Sequence, residues 1–542
     1  MVAVAKAAAL TGGRAVVEAL KAEGVDTVFG IPGKHNLCVY DVLLDTPQIR
    51  NIVTRNEQGA AFMADGYARV TGKVGVCLVT AGPGTGNTIA AMGTAYADSI
   101  PILNITTEIP AHFIGKTKGV LHESRDQSGL LDAATGWHKR VSSVGEIPQA
   151  IHEAMRVLKT QRPRPAAIEI PADLIDAEGE AQILPAEEYQ KPSPSPHDVA
   201  QIARLLAEAK RPLIWAGGGV ARSGASAELR ELAELLQAPV FTTNIAKGVF
   251  PADHRLALGH VIPHPLVRKF IAESDVMLAL GTRFAARATG DWSVKFPKTL
   301  IHVDIDPSRF GVNYEPTMGV VSDAKNFLAA VVAELRGSKL RRRQSPVAEI
   351  KALKQAVLAA RAHKGPSDLS VIQAVRRALP RDGIVVSDCA IGTQWMRLAL
   401  DMYEPNTWVF PAGYQTLGYG YPAAVGAKAG QPDRPVVAFC GDAGFMMTGQ
   451  ELATAVQFGI NFPVVIFNDQ GYGTIRKAQD KDFGGRHCAV DVPTPDFALL
   501  ARAYGAKSYR PDSPEKLGRA IKQAIRLDGP SIIDFRYEFE EP

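Results

Sequence analysis

The stretches Cys440-Gly441-Asp442-Ala443-Gly444-Phe445 and Ile466-Phe467-Asn468-Asp469-Gln470-Gly471-Tyr472-Gly473 decide the fold. Asp442 stands at the end of the apolar run 436–439, and Asp469 ends a second run, 464–467, twenty-seven residues later. Both runs are short, apolar and partly β-branched, as buried strands of a parallel sheet are. Residues 446–458 between them read as a helix, so the unit is strand, loop, helix, strand. A right-handed crossover brings both loops to one edge of the sheet, where open α/β folds bind ligands. Two carboxylates meeting there, beside amides freed by Gly441 and Gly444, suit a hard divalent cation that holds a phosphorylated ligand. The same residues also fit a plain crossover in which the aspartates cap a turn and a helix.

Working outward, 542 residues exceed one core and predict about three domains. Two breaks divide the chain: the proline-rich Lys191-Pro-Ser-Pro-Ser-Pro196 and the charged stretch 337–346. They delimit blocks 1–180, 196–336 and 350–542. The outer blocks look like two versions of one doubly wound α/β unit. Each has a Gly-Tyr segment, an apolar run, a Gly-rich turn (Gly82-Pro-Gly-Thr-Gly; Gly441-Asp-Ala-Gly), a helix and a second apolar run. Any two such units share that outline, so the likeness alone leaves the relation open. The middle block adds three more strand-like runs and a Gly217-Gly-Gly turn able to cradle a diphosphate. The expected fold class is α/β, with three doubly wound parallel-sheet domains.

A net charge of +4 gives no nucleic-acid footprint, and the basic run 339–343 reads as a solvated linker. Five dispersed cysteines argue against a disulfide framework or zinc site. No apolar stretch reaches membrane-spanning length and the start is unlike a signal peptide, so a cytoplasmic enzyme is expected.

Together these motifs resemble the thiamin diphosphate (ThDP) fold. Over nearly its whole length the chain is similar to the acetolactate synthase-like family of ThDP enzymes. That family carries Gly-Asp-Gly and Asn-Asn where this chain has Gly-Asp-Ala and Asn-Asp. The resemblance implies that Asp442 and Asp469 bind Mg²⁺ through their side chains and Gly471 through its carbonyl. Gly441, Ala443, Gly444, Tyr472 and Gly473 complete the same cofactor-binding stretches. Asp in place of the second Asn keeps an oxygen ligand and adds negative charge. Arg55-Asn-Glu-Gln-Gly-Ala-Ala61 resembles the family's glutamate motif, in which Glu57 bonds the cofactor's pyrimidine nitrogen and promotes thiazolium deprotonation. Tyr414-Gln-Thr-Leu417 resembles the segment that bends the cofactor: Leu417 is the wedge, and Gln415 and Leu417 meet the pyrimidine through their backbones. Gly392 and Thr393 correspond to diphosphate contacts. In the family, Glu57 and Asp442 of one site come from different subunits, which implies an obligatory homodimer and commonly a homotetramer. Arg283 and Arg287 resemble an arginine-bearing segment of FAD-binding members, so FAD or an adenine nucleotide in the central domain stands beside a purely structural reading.

His35, in Ile31-Pro-Gly-Lys-His-Asn36, and His122, in Leu121-His-Glu-Ser-Arg-Asp-Gln127, are expected in the substrate pocket, a pattern similar to the ketoarginine decarboxylase branch. The resemblance implies decarboxylation of a 2-oxo acid through an enamine. Two imidazoles could then supply the proton that releases an aldehyde; without such a proton, a second carbonyl captures the intermediate in a carboligation. Cleavage of a 2-hydroxyacyl-CoA thioester, a flavin-dependent oxidase and a non-catalytic nucleotide-binding scaffold remain as alternatives.

Overall fold

The computed structural model describes residues 7–260 and 264–542. Three six-stranded sheets carry the chain, and every strand pairing within them is parallel. The first contains Thr27–Gly30, Arg50–Val53, Gly75–Val79, Ile102–Glu108, Trp137–Arg140 and Ala166–Pro171. The third contains Ile384–Ser387, Trp408–Val409, Val436–Gly441, Pro463–Asn468, Lys507–Tyr509 and Ser531–Arg536. With strands numbered in chain order inside each sheet, both have the order 2-1-3-4-6-5. The likeness seen in the sequence is therefore a shared topology. The middle sheet, from Pro212–Ala216 to Met318–Val321, has the order 3-2-1-4-5-6 of a dinucleotide-binding fold.

One helix pair ties the outer sheets together. Glu57–Thr71 buries eleven residues and Gly420–Gly430 eight. Small residues let the backbones nearly touch: a Cβ on Gly426 would lie 1.8 Å from Met63 O, and one on Gly66 would lie 2.0 Å from Ala423 O. A buried polar cluster reinforces the seam. Arg69 pairs with Asp65 at 2.5 Å and with Asp98 at 3.0 Å. The Tyr419 hydroxyl donates to Asp65, while Ala412 N and Gly413 N donate to Asp98.

Two local expectations need correction. The helix expected over 446–458 begins at Asp442, stops at Thr448, passes through a 3-10 turn at Gly449–Glu451 and resumes at Leu452–Gln457. The Gly-Asp-Ala-Gly stretch thus starts the helix rather than forming a loop. At the break, Thr448 Oγ1 donates to Gly418 O, and Gly449 packs where a Cβ would meet the Phe445 ring at 2.8 Å. The basic run 339–343 is not wholly solvated either. Arg343 donates to Leu206 O, Ala207 O and Ala209 O, satisfying carbonyls at the end of helix Pro196–Glu208.

Replacing Gly426 with Val forces the two helices apart, and overpacking of this kind costs about 1–3 kcal/mol. Chemical denaturation should show a matching loss of stability; an unchanged midpoint would contradict this account of the seam.

Candidate active site

Because the strands are parallel, the segments that follow them collect at one edge of each sheet. On the third sheet, Asp442 and Asp469 stand close enough to influence each other's ionisation. Gly471 N donates to Asp442 Oδ2 at 3.1 Å. Asp442 Oδ1 is buried with no partner. Burial raises both carboxyls above their ordinary range, and with Asp442 beside it Asp469 is pushed up to about 7. Gly473 lets the Asp469 carboxyl lie against the helix start, since a Cβ there would fall 1.7 Å from Asp469 Oδ2 and push it aside. A buried carboxylate with an idle oxygen beside a half-buried one fits a bound cation. Among the described residues no group of three or more His, Cys, Asp or Glu gathers for a metal. The remaining positions would fall to backbone and ligand oxygens, a donor set suited to Mg²⁺.

The neighbouring segments present main chain rather than side chain. Thr393 is fully buried, and its hydroxyl is spent on Asp388 O, Ala390 O and Ala390 N. A Cβ on Gly392 would meet the rings of Phe467 and Phe539. Any phosphate contact here would run through amides at the start of helix Ile391–Ala399. Gly441 caps helix Asp442–Thr448, in whose first turn Ala443 and Gly444 are buried. Tyr472 is half-buried and its N–H donates to Val490 O. Gln415 holds the left-handed φ of 57°, uncommon for a residue with a side chain, and Leu417 is half-buried.

On the first sheet, Glu57 opens helix Glu57–Thr71, is half-buried, and accepts from Asn87 Nδ2 at 2.9 Å. His35 and His122 meet edge to face with ring centroids 5.0 Å apart, and Nδ1 of each is buried without a partner. Burial, with His122 alongside, lowers the His35 pKa below the usual histidine value. Asn36 fixes the His35 loop by accepting from Gly33 N and donating to Ile31 O. His122 has a φ of 67°, and its carbonyl sits 2.5 Å from where a Cβ on Gly82 would be. Three expected residues thus share one sheet edge, and the two histidines touch.

Two residues take structural roles here that the sequence reading had not assigned to them. Gln127 accepts from Gly82 N at 2.7 Å and donates to Glu169, so it holds the turn packed against His122. Glu451, fully buried, accepts from Arg55 N, Asn56 N and Thr454 Oγ1, gripping from the third sheet's side the turn that carries Glu57. Gly59 leaves the space, since a Cβ there would meet Glu451 Oε1 at 2.5 Å. A lone Glu in a helical stretch gives no sequence signal of such a contact.

Comparison with known proteins agrees with this geometry. Residues 10–130, 199–331 and 390–535 match the N-terminal TPP binding, central and C-terminal TPP binding domains of thiamine pyrophosphate enzymes. The chain belongs to the thiamine pyrophosphate (ThDP) enzyme family, in its acetolactate synthase-like branch. Among its relatives, a probable 2-ketoarginine decarboxylase of Pseudomonas aeruginosa is 38% identical over 97% of this chain and 94% of its own length. A probable acetolactate synthase large subunit of Methanocaldococcus jannaschii is 35% identical over 97% and 91%. The acetolactate synthase large subunit of Corynebacterium glutamicum is 35% identical over 97% and 86%.

Burial outweighs the hydrogen bonds at Glu451 and pushes its pKa up to about 7. A carboxyl raised in the folded state stabilises fully below its unfolded value of 4.5 and loses that contribution as pH rises towards 7. Glu451→Gln should therefore gain stability relative to wild type across that window, read from denaturation midpoints. A pH-independent difference would contradict the burial argument.

Proposed function

We propose that this protein is a ThDP- and Mg²⁺-dependent enzyme that decarboxylates a 2-oxo acid and releases mainly the aldehyde. The observation that carries the reading is the facing pair Asp442 and Asp469, with its unpartnered buried oxygen, at the edge of a sheet in a ThDP-family chain. In this reading Asp442, Asp469 and the Gly471 carbonyl hold Mg²⁺. The amides of residues 392–393 and 441–444 meet the diphosphate, and Tyr472 and Gly473 line the same end. Glu57 receives the ring nitrogen of the pyrimidine, with Gln415 and Leu417 beneath it. Bound ThDP supplies the electron sink for the pair left when carbon dioxide departs. His35 and His122 hold the proton that ends the reaction. With His35 lowered by burial and its neighbour, the pair is readier to carry one proton than two. The functional unit is a homodimer, or a tetramer built from dimers, in which a second copy of the chain completes each site.

Carboligation is the second reading, favoured by relatives named acetolactate synthase. The histidine pair is what supports aldehyde release over it.

The middle domain offers a further cofactor site. A cavity of about 1070 Å³ lies between it and both outer domains, lined by Gly218, Gly219, Arg283, Arg287, Asp304 and Asp323 among others. The Gly turn also has a purely structural use, because a Cβ on Gly217 would lie 2.2 Å from Gly281 O. The arginines and the two aspartates after parallel strands support an adenine nucleotide, FAD included.

Carbon dioxide release from a panel of aliphatic and cationic 2-oxo acids tests the assignment. Wild type should turn over at least one, and Asp442→Ala should lose at least a hundredfold; release unaffected by this change would overturn it. In the double variant His35→Ala/His122→Ala, aldehyde should fall at least tenfold relative to hydroxyketone. In wild type the aldehyde share should decline as pH rises through the histidine range, because the donor is then neutral. An unchanged product ratio would contradict the role of the pair.

A further inference from the structure

At the C-terminal end of helix Ile391–Ala399, three cations converge on one region. Two are already used. Lys247 Nζ donates to Met396 O at 3.1 Å and Arg397 O at 3.0 Å, and lies over the Trp408 ring. Arg361 donates to Leu398 O. Between them they satisfy the carbonyls that a helix end leaves open.

Arg397 is left over. Its residue is only 8% exposed, and among the described residues its guanidinium has no carboxylate within salt-bridge distance and no hydrogen-bond acceptor. The charges that act most strongly on it are Arg287 and Arg361, both of its own sign. Residues 261–263, which lie outside the description, are Val, Ile and Pro and add no charge. A second orphan stands beside it. His260 has Nδ1 at 3.2 Å from Thr242 O, and its Nε2 is buried without a partner. Arg397, His260 and the exposed Arg287 all line the central cavity. A guanidinium that faces a cavity with no protein acceptor and like charges around it is a ready partner for an anion.

We infer that Arg397, His260 and Arg287 form an oxyanion site at the end of the central cavity, filled by a phosphate-class group, either free or borne by a larger ligand. The inference goes beyond the nucleotide reading and does not require it: the Gly turn and the aspartates recognise other parts of a ligand. An arriving oxyanion supplies acceptors for the guanidinium and draws a proton onto His260 Nε2. It also links the middle domain to the helix whose first turn faces the proposed diphosphate.

The test uses full-length protein saturated with ThDP and Mg²⁺, so that the catalytic diphosphate site is already filled. Inorganic sulfate and ADP are titrated separately, with chloride at matched ionic strength as control, and thermal midpoints and dissociation constants are recorded. Sulfate should raise the midpoint beyond chloride. Arg397→Met should weaken sulfate binding at least tenfold, and Arg287→Met, at the exposed rim, severalfold. Without anion, Arg397→Met should melt no lower than wild type, because it removes an unsatisfied charge. Equal Arg397 dependence for ADP would make the occupant a nucleotide phosphate; dependence for sulfate alone would make it a free anion and defeat the nucleotide reading. ADP binding that ignores Arg397, with no sulfate effect, would keep the nucleotide and overturn this site. A lower midpoint for anion-free Arg397→Met would also overturn it, since Arg397 would then have a structural partner.

Discussion

The close crossing of helices Glu57–Thr71 and Gly420–Gly430 is the constraint on which the rest of the structure depends. Gly66 and Gly426 bring the two backbones together, and the Asp65–Arg69–Asp98–Tyr419 cluster locks their rotation. Each helix begins at a segment that the proposed function assigns to the cofactor: Glu57 opens one, and the Gln415–Leu417 stretch leads into the other. Fixing the helix pair therefore fixes where both segments stand relative to the two sheets. Glu451 adds a second bond between them, a buried carboxylate on one side holding the turn that presents an acid on the other.

Such a seam has consequences for energy as well as geometry. Arg69 is buried yet fully served by two aspartates, so its charge is compensated. Asp442 and Asp469 are not: burial disfavours the ionised form of both, and Asp442 raises Asp469 further. Arg397 is the mirror case among cations. Structures carry uncompensated buried charge where something else is to bind, and here the two cases differ in sign and in place. One points to a cation at the edge of the third sheet, the other to an anion in the central cavity.

Much of this was legible in the residues. The parallel strands could be read because both faces are covered, so that 436–439 and 464–467 are apolar throughout rather than alternating. The spacing of Asp442 and Asp469 after two parallel strands pointed to a shared sheet edge, and Glu57 came from the resemblance of its motif alone. What escaped was non-local or depended on packing. The start of helix Asp442–Thr448 was misplaced because Gly-Asp-Ala-Gly reads as a turn locally, while strand and helix geometry override that preference. Thr393 looked like a phosphate ligand, yet its hydroxyl serves its own helix. Glu451, Gln127 and Arg397 carry no spacing signal: the turn that Glu451 holds lies 396 residues away, Gln127 reaches 45 residues back to Gly82, and Arg397 has no acceptor among the described residues.

The central claim is that Asp442 and Asp469 hold a divalent ion that secures the cofactor's diphosphate. Replacing Mg²⁺ with Mn²⁺ makes that ion visible by electron paramagnetic resonance. The account predicts one tightly bound Mn²⁺ per chain only when ThDP is present, and its loss in Asp469→Ala with the fold intact by circular dichroism. Tight Mn²⁺ binding that needs no ThDP, or that survives in the variant, would contradict it.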